Sequence, residues 1–197
     1  ATGLLRYTPG LYKLPQGYYG IDSIFLLLAM MALARLTSIE QLRYSAPGEW
    51  GNLLGLDRVP EVRCLRKKLE VLSQQEGQAA QWNTELAKGW MGQLPEGETL
   101  FYVDGHVRVY HGSQTELPRH HVARQRLCLR ATTDYWINAM DGQLFFYVNK
   151  EADPGMLATL RQDLVPWMEA TVASQAKHRE PMGADPHQPL FTIIVDR

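Results

Sequence analysis

The sequence predicts a mixed α/β protein in which a helical N-terminal region precedes a region of strands and one long helix. Two observations support this fold class. Up to about residue 93, apolar residues recur at three- and four-residue spacing, which is typical of amphipathic helices. After residues 94–98 the pattern changes to short β-rich runs with Asp-Gly pairs among them. We therefore predict a helical domain over residues 1–94 and a second domain over residues 95–197.

Composition narrows the class of protein further. The chain has 197 residues, of which 45% are hydrophobic and 21% charged, and its formal net charge is −1. These values fit a soluble globular protein and exclude a disordered chain or a uniformly basic nucleic-acid binder. Two cysteines do not make a disulfide framework, so we expect a reducing, cytoplasmic compartment. The longest apolar run, residues 24–34, is shorter than the about 20 residues that span a bilayer, so we expect no membrane partner.

Capping residues divide the N-terminal region into helices. Asp22 or Ser23 is expected to begin an apolar helix, and Ser38 to begin a second, shorter one. GEWGNLLG predicts another short helix that ends at a glycine. Pro60 is typical of the first turn of the next helix, and Gly77 is expected to separate that helix from its continuation.

The C-terminal region predicts three β segments, a helix and a last strand. TLFYVDGHVRVYHG is expected to fold as a hairpin that turns at its Asp-Gly pair. Two further strands flank a turn at residues 140–142, and a helix that Pro166 kinks follows residues 153–155. LFTIIVD predicts a short buried strand. Since a strand, a crossover helix and a second strand form a right-handed parallel unit, we expect the last strand beside the first.

Two aspartates follow these apolar strand segments: Asp104 in LFYVD and Asp196 in FTIIVD. If the strands are parallel neighbours, both carboxylates lie at the edge of the sheet where ligand sites of α/β proteins collect. Two close carboxylates need a divalent cation to offset their repulsion, and Mg²⁺ or Mn²⁺ prefers such oxygen ligands. Paired ions suit the cleavage of a phosphodiester. The alternative is that Asp104 belongs to an Asp-Gly turn and Asp196 to a frayed chain end.

A stripe of cations lies on and before the predicted helix of residues 60–73, and it consists of Arg58, Arg63, Arg66, Lys67 and Lys68. This helix follows two short helices, an order compatible with a helix-turn-helix whose last helix enters the major groove of DNA. The cations would then bind phosphates. The alternative is a solvated helix face without a partner.

A third group is rich in histidine and arginine. His106 is expected on the second strand of the predicted hairpin, near Asp104, where it would orient a phosphate or a base. The other members are His111, Arg119, His120, His121, Arg124, Arg126 and Arg130. A polar edge of the sheet is the alternative interpretation. The nearby aromatic residues are expected in the hairpin core, with base stacking as their alternative role, and they are Tyr135, Trp136, Phe145, Phe146 and Tyr147.

Several of these segments together resemble the bacterial DDE-type transposases of insertion-sequence elements. The resemblance is carried by PEGETLFYVDGHVRVYHG, LPRHHVARQRLCLRATTDYWIN, DGQLFFYVNK and the final LFTIIVDR, and the helical segment from about residue 17 is similar to the region that precedes the core in that family. The resemblance implies a ribonuclease-H-like core in which three acids hold two Mg²⁺ ions for DNA cleavage and transfer.

The resemblance assigns two of the three acids to this chain. It makes Asp104 the first acid and Asp196 the second, and it implies double-stranded DNA at the element ends as the partner. The third acid of the family lies later, on a helix, beyond Arg197. We therefore expect a fragment with an incomplete ribonuclease-H-like core that is inactive by itself. A non-catalytic DNA-binding remnant that uses the basic helix is the alternative function, and the oligomeric state stays open.

Overall fold

A computed structural model of the chain describes residues 3–91, 100–123, 125–151, 154–176 and 191–195. The chain divides into two compact units, Ala1–Leu86 and Ala87–Arg197. The domain boundary predicted at residues 94 and 95 falls in a segment outside the described residues. In the parts of the chain that are described, no helix is long and apolar enough to cross a membrane.

The first unit is helical, as its sequence predicts. It contains α1 (Thr8–Leu11), α2 (Ile21–Leu33), a 3₁₀ helix (Ile39–Tyr44), α3 (Pro47–Leu53), α4 (Val62–Ser73) and most of α5 (Gln78–Met91). The core of the unit forms where α2 and α4 bury their apolar residues, with Ile24, Leu27 and Leu65 fully buried. Buried residues recur along α4 at three- and four-residue spacing and form one side of the helix. The cationic residues Arg63, Arg66 and Lys67 lie on the opposite, exposed side.

Two predicted helix starts in this unit were wrong, and two predicted boundaries, at Ser38 and at Gly77, were confirmed. The first long helix starts earlier than predicted, since its N-cap is Gly20. Asp22 lies in its first turn, where the positive end of the helix dipole stabilises a carboxylate. Ser38 is the N-cap of the second helix, as predicted, and this helix is of the 3₁₀ type. The basic helix begins after Glu61, so Pro60 precedes it. Gly77 separates α4 from α5 with a φ of +75°, as predicted.

In the described residues, the second unit is a five-stranded mixed sheet with helices packed on one face. Its elements are β1 (Leu100–Val109), β2 (Arg119–Val122), β3 (Leu127–Ala139), β4 (Leu144–Lys150), α6 (Met156–Thr159), a π-helical turn (Leu160–Leu164), α7 (Val165–Ala176) and β5 (Thr192–Val195). The strand β3 pairs antiparallel with β1, β2 and β4, and β1 pairs parallel with β5. The predicted neighbourhood of the first and last strands is thereby confirmed. The predicted burial of the last strand was wrong, since Thr192, Ile194 and Val195 of β5 are exposed.

The predicted hairpin at the Asp-Gly pair was wrong, because β1 is one continuous strand. It pairs with β3 without interruption from Phe101 opposite Ala139 to Val109 opposite Ala131. Gly105 lies on the face of β1 that packs against the core. A Cβ atom on it would lie 3.2 Å from the ring of Tyr135 and 3.4 Å from the methyl group of Met156. This glycine therefore allows a close approach of neighbouring side chains and makes no turn.

The core of the second unit lies between the sheet and the helices. Phe101, Ile137 and Phe145 are buried from the sheet side, and Leu164 and Met168 are buried from the helical side. The rings of Phe101 and Phe145 meet edge to face, 5.5 Å apart.

A π-helical turn, Leu160–Leu164, ends two residues before Pro166, the position at which the sequence predicts a kink. Proline has no N–H to donate to the preceding turn, and π-helical segments occur where the regular ladder of backbone hydrogen bonds is interrupted.

Candidate functional site

The exposed side of β1 carries three charged or polar residues in alternate positions. Asp104, His106 and Arg108 are exposed, whereas Phe101 and Val103, at the other alternation, are buried in the core. We call these three residues, together with Asp134 on β3, the polar face of the sheet. His106 was predicted on an opposite hairpin strand. It lies instead two residues after Asp104 on the same strand.

Asp104 lies where the pairing between β1 and β5 stops. The parallel register joins Val103 to Val195, the last described residue of β5, and Asp104 is the next residue of β1. In the sequence, Asp196 follows Val195 in the same way. Asp196 itself lies outside the described residues. The prediction that Asp104 ends its strand was wrong, since β1 continues to Val109 alongside β3.

A fully buried carboxylate stands at the centre of the polar face, and sequence reasoning missed it. Asp134 pairs with His106 across the strands and has 0% exposure. Its Oδ1 accepts hydrogen bonds from the hydroxyl of Tyr147 at 2.8 Å and from Nδ2 of Asn149 at 2.6 Å. Its Oδ2 lies 2.8 Å from Nη2 of Arg108. The only sequence signal for this residue is that an acid occurs within the β-rich segment LCLRATTDYWIN.

The environment of Asp134 changes the ionisation of its neighbour Tyr147. Burial raises the pKa of Tyr147 above its usual value of 10.0, and the hydrogen bond to the carboxylate of Asp134 raises this pKa further. The cause is physical: a tyrosinate here would lose hydration and would face a second negative charge. Tyr147 therefore remains a hydrogen-bond donor to Asp134 throughout the neutral range.

The predicted aromatic core divides between the two faces of the sheet. Tyr135, Phe145 and Phe146 are buried, as expected. Trp136 and Tyr147 are half-buried, with their rings 4.6 Å apart, and Trp136 pairs directly with Asp104 across the strands. Residues directly opposite in an antiparallel pair project to the same side. An indole thus accompanies Asp104 on the polar face.

In the helical unit, α4 presents Arg63, Arg66 and Lys67 on its exposed side. Arg66 forms an ion pair with Glu40, which also lies 2.9 Å from the guanidinium of Arg43. The stripe is therefore partly neutralised. Lys68 was expected in the exposed stripe, but it is half-buried, and its ammonium group lies close to Gly17.

A cleft of about 370 Å³ lies beside the start of α4. Arg43, Arg58 and Arg63 line it together with Glu61, so cations outnumber acids. The connection between α3 and α4 covers residues 54–61, which is longer than the three- to four-residue turn of a helix-turn-helix. The predicted helix-turn-helix spacing is thus absent, while the cationic surface itself is present.

Of the remaining histidines and arginines in the described residues, Arg119 and Arg130 are brought together, as direct partners across β2 and β3. His120 contacts the backbone oxygen of Glu151 at 2.9 Å, and His111, Arg119, His121, Arg126 and Arg130 are exposed along β2, β3 and the adjoining loops. Arg124 lies outside the described residues. Within the described ranges, no three His, Cys, Asp or Glu side chains come close enough together to hold a metal ion.

Fold and site together define a two-unit α/β protein that exposes an acid beside a parallel strand pair and carries cations on a helical unit. A family model described as "Transposase protein" matches residues 1–197. The chain therefore belongs to this transposase family. No curated protein and no solved structure matches the chain significantly.

Proposed function

We propose that this transposase is of the DDE type and that it cleaves and transfers DNA strands with two divalent metal ions held by Asp104 and Asp196. The observation that carries the proposal is the parallel register of β1 and β5, in which Val103 pairs with Val195. Each of these paired residues is followed by an aspartate in the sequence. A strand that continued for one residue past Val195 would direct Asp196 to the face that carries Asp104.

The order of strands supports a ribonuclease-H-like core. The resemblance noted above expects antiparallel strands, then a helix, then a strand parallel to the first. The second unit has this order, with β3 between β4 and β1, and with β5 added on the other side of β1 after α7. The helices α6 and α7 cover the core face, so the opposite, polar face is the one that would meet DNA.

The donor set fits a hard divalent cation. Asp104 is exposed, so a metal ion that it binds could also bind a substrate phosphate. Mg²⁺ commonly combines one or two carboxylates with phosphate oxygens and water. Bound there, such ions would activate an attacking oxygen and stabilise the leaving oxygen of the phosphodiester. The third acid that the resemblance implies is not assigned to a residue of this chain.

A Mn²⁺ titration of the protein, followed by the electron paramagnetic resonance of the free ion, tests the proposed site. We expect weak binding that is lost in Asp104→Asn and in Asp196→Asn. Asp141→Asn is the matched control, because an asparagine oxygen can keep the turn hydrogen bond that Asp141 accepts from the backbone of Gln143 at 2.9 Å. Equal Mn²⁺ binding by Asp104→Asn and the wild type would refute the assignment.

The alternative function is DNA binding without catalysis, by the cationic surface of the helical unit. The cleft lined by Arg43, Arg58 and Arg63 and the exposed side of α4 favour it. We expect duplex DNA to bind and to dissociate as salt rises, because phosphate contacts release counterions. Neutralisation of Arg63, Arg66 and Lys67 should abolish this binding. If DNA affinity is unmeasurable at about 50 mM salt, where electrostatic binding is strong, neither function holds.

A further inference from the structure

The carboxylate of Asp134 is fully buried, and the proposed metal site does not use it. Tyr147 and Asn149 donate hydrogen bonds to Oδ1. Oδ2 accepts no hydrogen bond among the described residues, and its one charged neighbour there is Arg108, which forms an ion pair with it at 2.8 Å. A buried carboxylate is expensive to desolvate, so it is kept only where charged or polar partners compensate. Its position between Tyr147 and Arg108 indicates that it fixes the side chain of Arg108 on the polar face.

The guanidinium of Arg108 is only partly used by this ion pair. Its side chain is 62% exposed, whereas that of Asp134 is 0% exposed. A guanidinium has five N–H donors in a planar fork, and the ion pair with Asp134 is formed at Nη2. Donors remain for a ligand from solvent. A planar fork suits the paired oxygens of a phosphate, and a fork already held by a carboxylate loses less conformational freedom on binding.

Arg108 also lies at a suitable distance from Asp104. Both residues are on the same face of β1, four positions apart, which corresponds to about 13 Å along a strand. His106 lies between them on the same face. A DNA strand with its reacting phosphodiester at Asp104 would extend along β1 and bring another phosphate of its backbone to Arg108.

We propose that Arg108, held in place by the buried carboxylate of Asp134, binds a backbone phosphate of the DNA strand whose reacting bond lies at Asp104. Arg108 would thus be a substrate-binding residue and Asp134 the residue that positions it. The inference rests on the proposed function, because it places DNA on the polar face.

The test measures the affinity of the full chain for a short fluorescein-labelled DNA duplex by anisotropy, in EDTA and over a series of salt concentrations. For Arg108→Ala we expect a loss of affinity of about three- to tenfold and a salt slope smaller by about one, as for the loss of one phosphate contact. Arg161→Ala removes the same charge from the helical layer on the other face, and we expect its effect to be smaller.

Asp134→Asn separates positioning from simple electrostatics. This substitution removes a negative charge, which by itself should strengthen binding to a polyanion. The positioning role predicts the opposite, weaker binding, and it predicts that Arg108→Ala with Asp134→Asn binds no more weakly than Arg108→Ala alone. Unchanged or tighter binding by a folded Asp134→Asn variant would overturn the proposal, as would an equal effect of Arg108→Ala and Arg161→Ala.

Arg108→Lys decides the question if Asp134→Asn does not fold, which circular dichroism would reveal. Lysine keeps the charge without the planar fork, so we expect a clear loss of affinity, and wild-type affinity would overturn the proposal. Because EDTA removes divalent ions, this assay is independent of the Mn²⁺ site. A failure of the metal assignment at Asp104 and a failure of the Arg108 proposal are thus distinguishable.

Discussion

Replacement of Gly51 by alanine should destabilise the helical unit, although alanine is the better helix former. Gly51 is buried within α3, and a Cβ atom built on it would lie 2.5 Å from the Cα atom and 2.6 Å from the backbone nitrogen of Arg58. Carbon atoms in contact normally lie about 3.5–4.0 Å apart. The backbone that carries Arg58 would therefore have to move by about 1 Å, and no side-chain rotation relieves the clash.

The magnitude follows from two opposing effects. Overpacking of a well-packed site costs about 1–3 kcal/mol. The gain in helix propensity from glycine to alanine returns no more than about 1 kcal/mol. Because the clash is with backbone atoms, the cost lies in the upper part of that range, about 2–3 kcal/mol, and the net loss in the free energy of unfolding of the helical unit is about 1–2 kcal/mol. The backbone oxygen of Gly51 also accepts from the N–H of Leu56 at 2.9 Å, a bond that the same movement would stretch.

Gly48→Ala is the matched control, because it makes the same chemical change in the same helix. A Cβ atom on Gly48 would meet only the backbone oxygen of Asp57, at an ordinary 3.7 Å. Urea unfolding followed by far-ultraviolet circular dichroism compares the two variants with the wild type. We expect Gly48→Ala to be at least as stable as the wild type and Gly51→Ala to be less stable. If the two variants are equally stable, the close packing of α3 against the Arg58 segment is refuted.

Three further predictions concern the core, the polar face and the cationic surface. Phe101→Ala should lower the free energy of unfolding by about 3–5 kcal/mol, since it empties a fully buried site, and a loss below about 1 kcal/mol in urea unfolding would contradict the packing. The pKa of Tyr147 is raised in the folded state, so the contribution of Tyr147 to stability is retained below about pH 10 and is lost as the pH rises through the folded pKa. Tyr147→Phe should therefore lessen the alkaline fall in the free energy of unfolding. Identical alkaline unfolding curves for the variant and the wild type would contradict this prediction. Glu40→Gln should strengthen DNA binding, because it releases Arg43 and Arg66 from their ion pairs with Glu40. The free energy of unfolding should change by less than about 1 kcal/mol, since these ion pairs are exposed. Unchanged affinity in anisotropy titrations would count against DNA contact at Arg43 and Arg66.

Local patterns predicted much of the fold. The strands β3 and β4 and the turn between them follow from alternating apolar residues around an Asp-Gly pair, and Gly142 indeed has a φ of +87°. The apolar spacing of α4 likewise predicted which of its sides is cationic. These features depend on residues close together in the sequence, for which propensity and periodicity are informative.

Non-local pairing explains what the sequence could not reveal. The Asp-Gly pair at residues 104 and 105 has the same local chemistry as a turn, yet the long ladder with β3 keeps it inside a strand. The burial of Asp134 depends on Arg108, Tyr147 and Asn149, which come from two other strands. No periodicity identifies such a cluster, because its members meet only once the sheet has formed.

The separation of the Asp104 and Asp196 carboxylates, measured in a crystal structure of the full chain grown with Mn²⁺, decides whether these two residues form one metal site. Two ions that share a phosphodiester lie about 3.5–4 Å apart, so we expect carboxylates roughly 4–6 Å apart with an anomalous Mn²⁺ peak between them. Carboxylates more than about 12 Å apart would be too far from each other to hold the same two metal ions, and this result would contradict the metal-site assignment.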